Sequence, residues 1–186
     1  MNGYVLLESE FRSLLEAAPQ HLKLILLTAY HTGMRRGEIL SLRWGRVDLG
    51  RGMIRLPGGA TKTDQGRNIP LNRETVEALR AVPRRVGSPW VFGYQDKRPL
   101  ASIKRAFLKA RKKAGLHDIW FPDLRHTYIT NARRAGIDHF TIRAIAGHRT
   151  TAVFKRYHTI EESDVLAARR RKDEHIETTD EERIGS

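Results

Sequence analysis

The stretch Ala144-Ile-Ala-Gly-His-Arg-Thr-Thr-Ala-Val-Phe-Lys-Arg-Tyr-His158 is the one from which the rest of the chain is read. It sets an imidazole at His148 and, nine residues on, a phenol at Tyr157, with Arg149, Lys155 and Arg156 between them. Two upstream segments repeat the basic theme behind glycine or proline markers: Thr32-Gly-Met-Arg-Arg-Gly-Glu38 and Phe121-Pro-Asp-Leu-Arg-His-Thr127. Taken singly, each residue has an ordinary explanation. A lone arginine is usually a solvated charge, and a tyrosine in a helical stretch usually belongs to the core or its rim. His126, flanked by Leu124, Tyr128 and Ile129, reads as a packed, hydrogen-bonded histidine. The meaning lies in the combination.

Composition narrows the classes. The 186 residues are enough for one well-buried core, so a single domain is expected. The segment after Lys172 carries Asp173, Glu174, Glu177, Asp180, Glu181 and Glu182 against Arg183. The formal charge of +13 is therefore +18 on the body and −5 on this tail. A field of that sign and size points to a polyanion, most often nucleic acid. Without cysteine there is neither a disulfide framework nor a thiolate zinc site, and a reducing compartment fits. The eight histidines form no His-Glu-x-x-His pair, so no metal is expected. No apolar run approaches the roughly 20 residues of a membrane span. The N-terminus lacks the basic start of a signal peptide, so a soluble, cytoplasmic protein is expected.

Local patterning supplies the elements. Glu8–Ala18 carries Phe11, Leu14, Leu15 and Ala18 on one helical face, and Pro19 stops it. Gln20–Thr32 is apolar nearly all round, as a core helix is, and Gly33 suits its C-terminal cap. Arg35 thus stands where a buried helix ends. A further helix is expected from Arg36 to about Arg43. From Val47 to Leu71, short apolar pieces separated by Gly50, Gly52, Gly58, Gly59 and Gly66 predict a three-stranded antiparallel meander, with Lys62 near its second turn. Asn72 caps a helix to about Val82. Ser102 caps one to Ala114, whose outer face carries Lys104, Arg105, Lys109, Arg111, Lys112 and Lys113. Helices over Asp123–Ala135, Asp138–Ala146, Thr150–Arg156 and Glu161–Lys172 complete the pattern.

Gly33-Met-Arg35-Arg-Gly-Glu38 resembles the Gly-x-Arg-x-x-Glu box of the tyrosine recombinases, the phage-integrase family. Thr61-Lys62-Thr63 followed by Arg67-Asn-Ile-Pro-Leu71 resembles the family's strand-borne lysine. Asp123-Leu-Arg125-His126-Thr127 is similar to its second arginine box, and Gly147-His148 with Tyr157 to its last. The four boxes keep their order from about Glu8 to Lys172. The resemblance implies an α+β fold, mainly helical, with a small three-stranded antiparallel sheet at one edge. The catalytic domain would span residues 1–172. The acidic tail, 173–186, would be flexible or exchanged with a neighbouring protomer.

It also implies site-specific DNA recombination through a covalent 3′-phosphotyrosine, with catalytic residues Arg35, Lys62, Arg125, His148 and Tyr157 and supporting residues Glu38 and His126. The residue types suit that chemistry. A tyrosine oxygen can form a covalent phosphoryl ester. Guanidinium forks match the charge that grows on the non-bridging oxygens when no metal is present. Lys62 would protonate the departing 5′ oxygen. Lys104, Arg105, Lys109, Arg111 and Lys112, on a helix resembling the one the family lays in the major groove, would contact DNA together with Arg149, Lys155 and Arg156. The expected partner is double-stranded DNA. The expected assembly is a homotetramer on paired sites, monomeric when free, in a bacterial, archaeal or phage-infected cell, with neither metal nor nucleotide cofactor. Family members carry a further N-terminal DNA-binding domain, so a catalytic fragment is expected.

One position departs from the pattern. Pro122 stands where the family's His-x-x-Arg box has a histidine, the usual proton acceptor for the tyrosine. Proline suits a helix start but cannot shuttle a proton. The alternative is therefore a DNA-binding relative whose cleavage is weakened or lost.

Overall fold

The computed structural model describes residues 3–58, 66–84, 86–93 and 100–147. Among them are seven α-helices and one sheet, an α+β architecture dominated by helix. The expected helices over 150–156 and 161–172, and the acidic tail, lie outside the described residues.

α1 (Glu8–Ala17) and α2 (Gln20–Thr32) form the centre of the core. Phe11 and Tyr30 stack with ring centroids 3.7 Å apart, and the Tyr30 hydroxyl donates to Glu8 Oε2 at 2.9 Å. α2 buries Leu22, Ile25, Leu26, Leu27 and Ala29, as its all-round apolar pattern predicts. Its buried Thr28 returns its hydroxyl to the carbonyl of Leu24 at 2.8 Å, and Thr32 does the same to Thr28. Gly33 ends it in the left-handed conformation at φ 62°.

α3 spans Arg36–Leu40, three residues shorter than expected. The cause is a long-range pairing: Val91 N donates to Leu42 O at 2.9 Å and Trp44 N to Pro89 O at 2.8 Å. These bonds pull the chain out of helix before a 3₁₀ turn at Trp44–Arg46. The sheet follows as β1 (Val47–Asp48), β2 (Met53–Leu56) and β3 (Arg67–Pro70), antiparallel in that order, with Ile54 opposite Ile69 and both buried. Pro70, which has no N–H to give a ladder, lies on an edge strand.

α4 (Arg73–Arg80) is capped by Asn72, whose side chain accepts from Thr75 N at 3.0 Å. α5 (Lys104–Lys113) buries Phe107 and Ala110 and leaves Lys104, Arg105, Lys109 and Lys112 exposed. α6 (Phe121–Arg134) begins two residues before the expected Asp123. Pro122 costs nothing in a first turn, where its missing N–H would be unsatisfied anyway, and Asp123 Oδ2 accepts from Trp120 N at 2.6 Å. α7 (His139–Ala146) has Asp138 as its cap, accepting from Thr141 N, and ends at Gly147 at φ 68°. Among the described residues no helix is long and apolar enough to cross a membrane.

Candidate active site

Three boxes that are far apart in sequence meet at the C-terminal end of α2. Gly33 caps that helix, and two residues later Arg35 is the N-cap of α3. Glu38, at the third position of α3, reaches back and accepts from the Arg35 backbone N–H at 2.8 Å. This is one half of a capping box, and it explains why a glutamate three residues after the arginine holds the turn. The same carboxylate accepts from Arg35 Nη1 at 2.9 Å. Arg35 Nη2 donates to the carbonyl of Gly147, the residue before His148. The Arg35 side chain stays about half exposed, at 48%.

Arg125 approaches the same place from α6. Its Nη1 donates to the carbonyl of Gly33 at 2.6 Å. The glycine is required there for two reasons: its φ is positive, and a Cβ would fall 2.5 Å from the Tyr128 ring. Removing the side chain at 33 lets α6 pack close enough for Arg125 to reach the cap. Asp123 in the same box fixes the start of α6 and accepts from Tyr4 N at 3.3 Å, while Thr127 Oγ1 accepts from Leu6 N at 3.0 Å. The N-terminal strand of chain is thus tied to the helix that carries Arg125.

His126 sits on the side of α6 facing Gly3, where an added Cβ would fall 2.7 Å from its ring. Burial pushes its pKa below the ordinary 6.5, against the opposing pull of Asp123 and the Gly3 backbone. This is the packed histidine that its apolar neighbours predict. Pro122 is exposed in the first turn of α6, three residues before Arg125 and so on the same face of the helix.

The residue left without a role by sequence reading is Arg67. It opens β3, and its side chain is only 11% exposed. Nη2 lies 2.7 Å from both oxygens of Glu38, and Nε donates to Ile145 O at 2.9 Å. Strand alternation held the signal: Arg67 shares the inward register with buried Ile69, where a cation is out of place unless paired. Glu38 therefore serves two guanidinium groups. Burial raises its pKa, but the hydrogen bonds from Arg67 and Arg35 and the charge of Arg67 outweigh that and hold it below the usual carboxylate range.

On α5, Arg111 stands apart. Its Nη1 donates to Ile119 O at 2.6 Å and its guanidinium lies 4.4 Å over the Trp120 ring, so it braces the α5–α6 connection. Lys62, His148, Arg149, Lys155, Arg156 and Tyr157 lie outside the described residues.

Comparison with known proteins gives likenesses of sequence and of fold. The sequence pattern of the phage integrase family matches residues 4–163. A shufflon-specific DNA recombinase of Escherichia coli is 34% identical over 176 residues, covering 87% of this chain and 44% of that protein. Tyrosine recombinase XerA of Pyrococcus furiosus is 27% identical over 164 residues, covering 81% of this chain and 56% of the relative. The chain thus spans about half the length of these relatives. A crystal structure of XerA recombinase superposes with a TM-score of 0.74 at 27% identity, over 91% of this chain and 63% of that one. The Tn1549 transposon integrase, solved with circular intermediate DNA, gives 0.74 at 19% identity over 90% and 65%, a likeness of fold.

Proposed function

The chain belongs to the phage integrase family of tyrosine recombinases, and on that premise we propose that it cleaves and rejoins duplex DNA at a specific site through a covalent 3′-phosphotyrosine. The observation that carries this reading is the convergence at the α2 cap. Arg125 donates to Gly33 O, and Arg35 donates to Gly147 O, so the two arginines and the residue preceding His148 share one corner of the fold.

In this mechanism the Tyr157 oxygen attacks the scissile phosphorus. The bond from phosphorus to the 5′ oxygen breaks, and Lys62 supplies the proton that makes the leaving group a hydroxyl. Arg35 and Arg125, with a hydrogen bond from His148, hold the charge that builds on the non-bridging oxygens. A preset cage of this kind needs no reorganisation at the moment of reaction, and Glu38 keeps Arg35 preset. The phenolic proton passes to a base other than Pro122, which has no atom to receive it. Rejoining is the reverse attack by a 5′ hydroxyl on the phosphotyrosine.

The partner is double-stranded DNA, met by Lys104, Arg105, Lys109 and Lys112 of α5 and by Arg149, Lys155 and Arg156. Arg111 adds to the positive field of the same face. Assembly is as a homotetramer on paired sites, with the 173–186 tail passed between protomers.

Trapping on a nicked duplex, from which the cleaved strand diffuses away, tests the reading. The wild-type chain should give an SDS-resistant adduct, and Tyr157→Phe should give none while binding DNA with nearly the same affinity. An adduct that survives Tyr157→Phe removes Tyr157 as nucleophile. Pro122 favours one second reading, a DNA-binding relative that no longer cuts; DNA binding without any adduct would select it.

A further inference from the structure

Arg67 lies five residues beyond Lys62 on the strand that leads out of the β2–β3 turn. It is held on three sides. Glu38 receives Nη2 at 2.7 Å from each oxygen, Ile145 O receives Nε at 2.9 Å, and Gly147 closes over the group. A Cβ on Gly147 would come within 2.7 Å of the guanidinium carbon, so the C-terminal cap of α7 is built around this side chain. Glu38 holds the backbone and the side chain of Arg35, and Arg35 Nη2 returns to Gly147 O. The hydrogen bonds therefore close a circuit: β3 to α3, the start of α3 to the α7 cap, and the last turn of α7 back to β3.

A buried guanidinium is costly unless its donors are met by fixed acceptors. Here a carboxylate and a carbonyl from two different elements meet Nη2 and Nε. Lysine could neutralise Glu38, but a single ammonium on a flexible stem lacks the planar fork that reaches Glu38 and Ile145 together. At 11% exposure Arg67 is shielded from any ligand as large as DNA. Its influence on the reaction must pass through its neighbours.

We propose that Arg67 is a positioning residue: through Glu38 it fixes Arg35 against the Gly147 carbonyl, and it ties that corner to β3. The inference rests on the reading of Arg35 as a group that holds the scissile phosphate, and it adds the member that sets its geometry. Displacement of a catalytic group by about 1 Å costs on the order of 10² in rate.

The test compares two substrates. Single-turnover cleavage of a nicked duplex is measured with an ordinary scissile phosphate and with a neutral methylphosphonate in its place, for wild type, Arg67→Lys and Glu38→Gln. Arg67→Lys should slow phosphodiester cleavage about 10²-fold with the salt dependence of binding unchanged. Most of that loss should vanish on the methylphosphonate, which leaves Arg35 less charge to hold. Glu38→Gln should show the same split. Amide hydrogen exchange in the free protein supplies a reading that needs no cleavage. Arg67→Lys should speed exchange at Arg35 and Gly147 while α1 and α2 keep their protection. Equal losses on both substrates, or exchange accelerated alike everywhere, would make Arg67 a scaffold residue and overturn the proposal. If wild type cleaves neither substrate, the strand-cleavage reading fails, and exchange still decides: unchanged rates at Arg35 and Gly147 reject the positioning role.

Discussion

Arg125 Nη1 donates to the carbonyl of Gly33 at 2.6 Å, tying the second arginine box to the cap of the helix that precedes the first. The bond places two guanidinium groups on one corner without a direct link between them. Each is anchored by a backbone carbonyl, Gly33 for Arg125 and Gly147 for Arg35. A carbonyl holds an arginine without cancelling its charge; Arg35 is in addition ion-paired with Glu38 at 2.9 Å.

Gly33→Ala should be among the most damaging small substitutions in the chain. A side chain at φ 62° is strained, and the new Cβ would lie 2.5 Å from Tyr128. The left-handed strain alone is worth about 1–3 kcal/mol. We expect a clear fall in the urea midpoint and a larger proportional loss of cleavage, since Arg125 loses its anchor. An unchanged midpoint would show that α6 shifts freely, against the packing described.

Pro122→His should increase cleavage. Pro122 is exposed in the first turn of α6 and one turn before Arg125, so a histidine there needs no rearrangement of the core. A positioned proton acceptor contributes about 10²–10⁴ in rate. The gain should be largest near neutral pH and shrink toward the tyrosine pKa of about 10, where the phenol ionises unaided. Stability should fall slightly, because a proline suited to the helix start is lost. No gain at any pH would place the proton path elsewhere.

The basic face of α5 should divide into two kinds of residue. Replacing Lys104, Lys109 and Lys112 with alanine should flatten the salt dependence of DNA binding by roughly one unit of logarithmic slope for each phosphate left without its lysine. Arg111→Ala should instead lower stability by about 1–2 kcal/mol, through the missing bond to Ile119 O and the missing stacking on Trp120. A triple variant with an unchanged slope would return the lysines to the solvated surface.

Acid should destabilise the domain in two stages. Burial lowers the pKa of His31, despite Glu74 at 3.2 Å, and burial also lowers that of His126, each from an ordinary 6.5. Below that value the unfolded chain binds more protons than the folded one, so stability falls as pH drops through 6.5 and levels off once the folded groups titrate. Glu38 and Glu74 are held below their ordinary 4.5, so their stabilisation is present above that value and is lost as pH falls through the lower folded pKa. Urea midpoints between pH 7.5 and 3 would show both steps. A flat response from pH 7.5 to 5 would contradict the burial of the two histidines.

Sequence and tertiary structure contributed different things. Periodicity and caps are short-range, and they were legible: the bounds of α2, the Gly33 and Gly147 caps, Asn72 and Asp138 as N-caps, and the β2 strand all follow from residues within a turn or two of one another. The two arginine boxes stood out because each is a short fixed spacing of chemically distinctive side chains; Lys62, His148 and Tyr157 of the other two lie outside the described residues. The end of α3 was not, because it is set by Leu42 and Trp44 pairing with the backbone near Val91, across a loop with no pattern of its own. Nor was the true start of α6, where a proline and a capping aspartate cooperate. The assembly of the site was decided by tertiary structure alone. The bonds that build it join residues 92, 112 and 78 positions apart: Arg125 to Gly33, Arg35 to Gly147, and Arg67 to Ile145. A side chain's neighbours along the chain carry no record of a carbonyl that only folding brings near. For that reason Arg67, quoted only as the start of the segment after Lys62, had no role of its own in a chain with 34 lysines and arginines, and its burial against Glu38 set it apart.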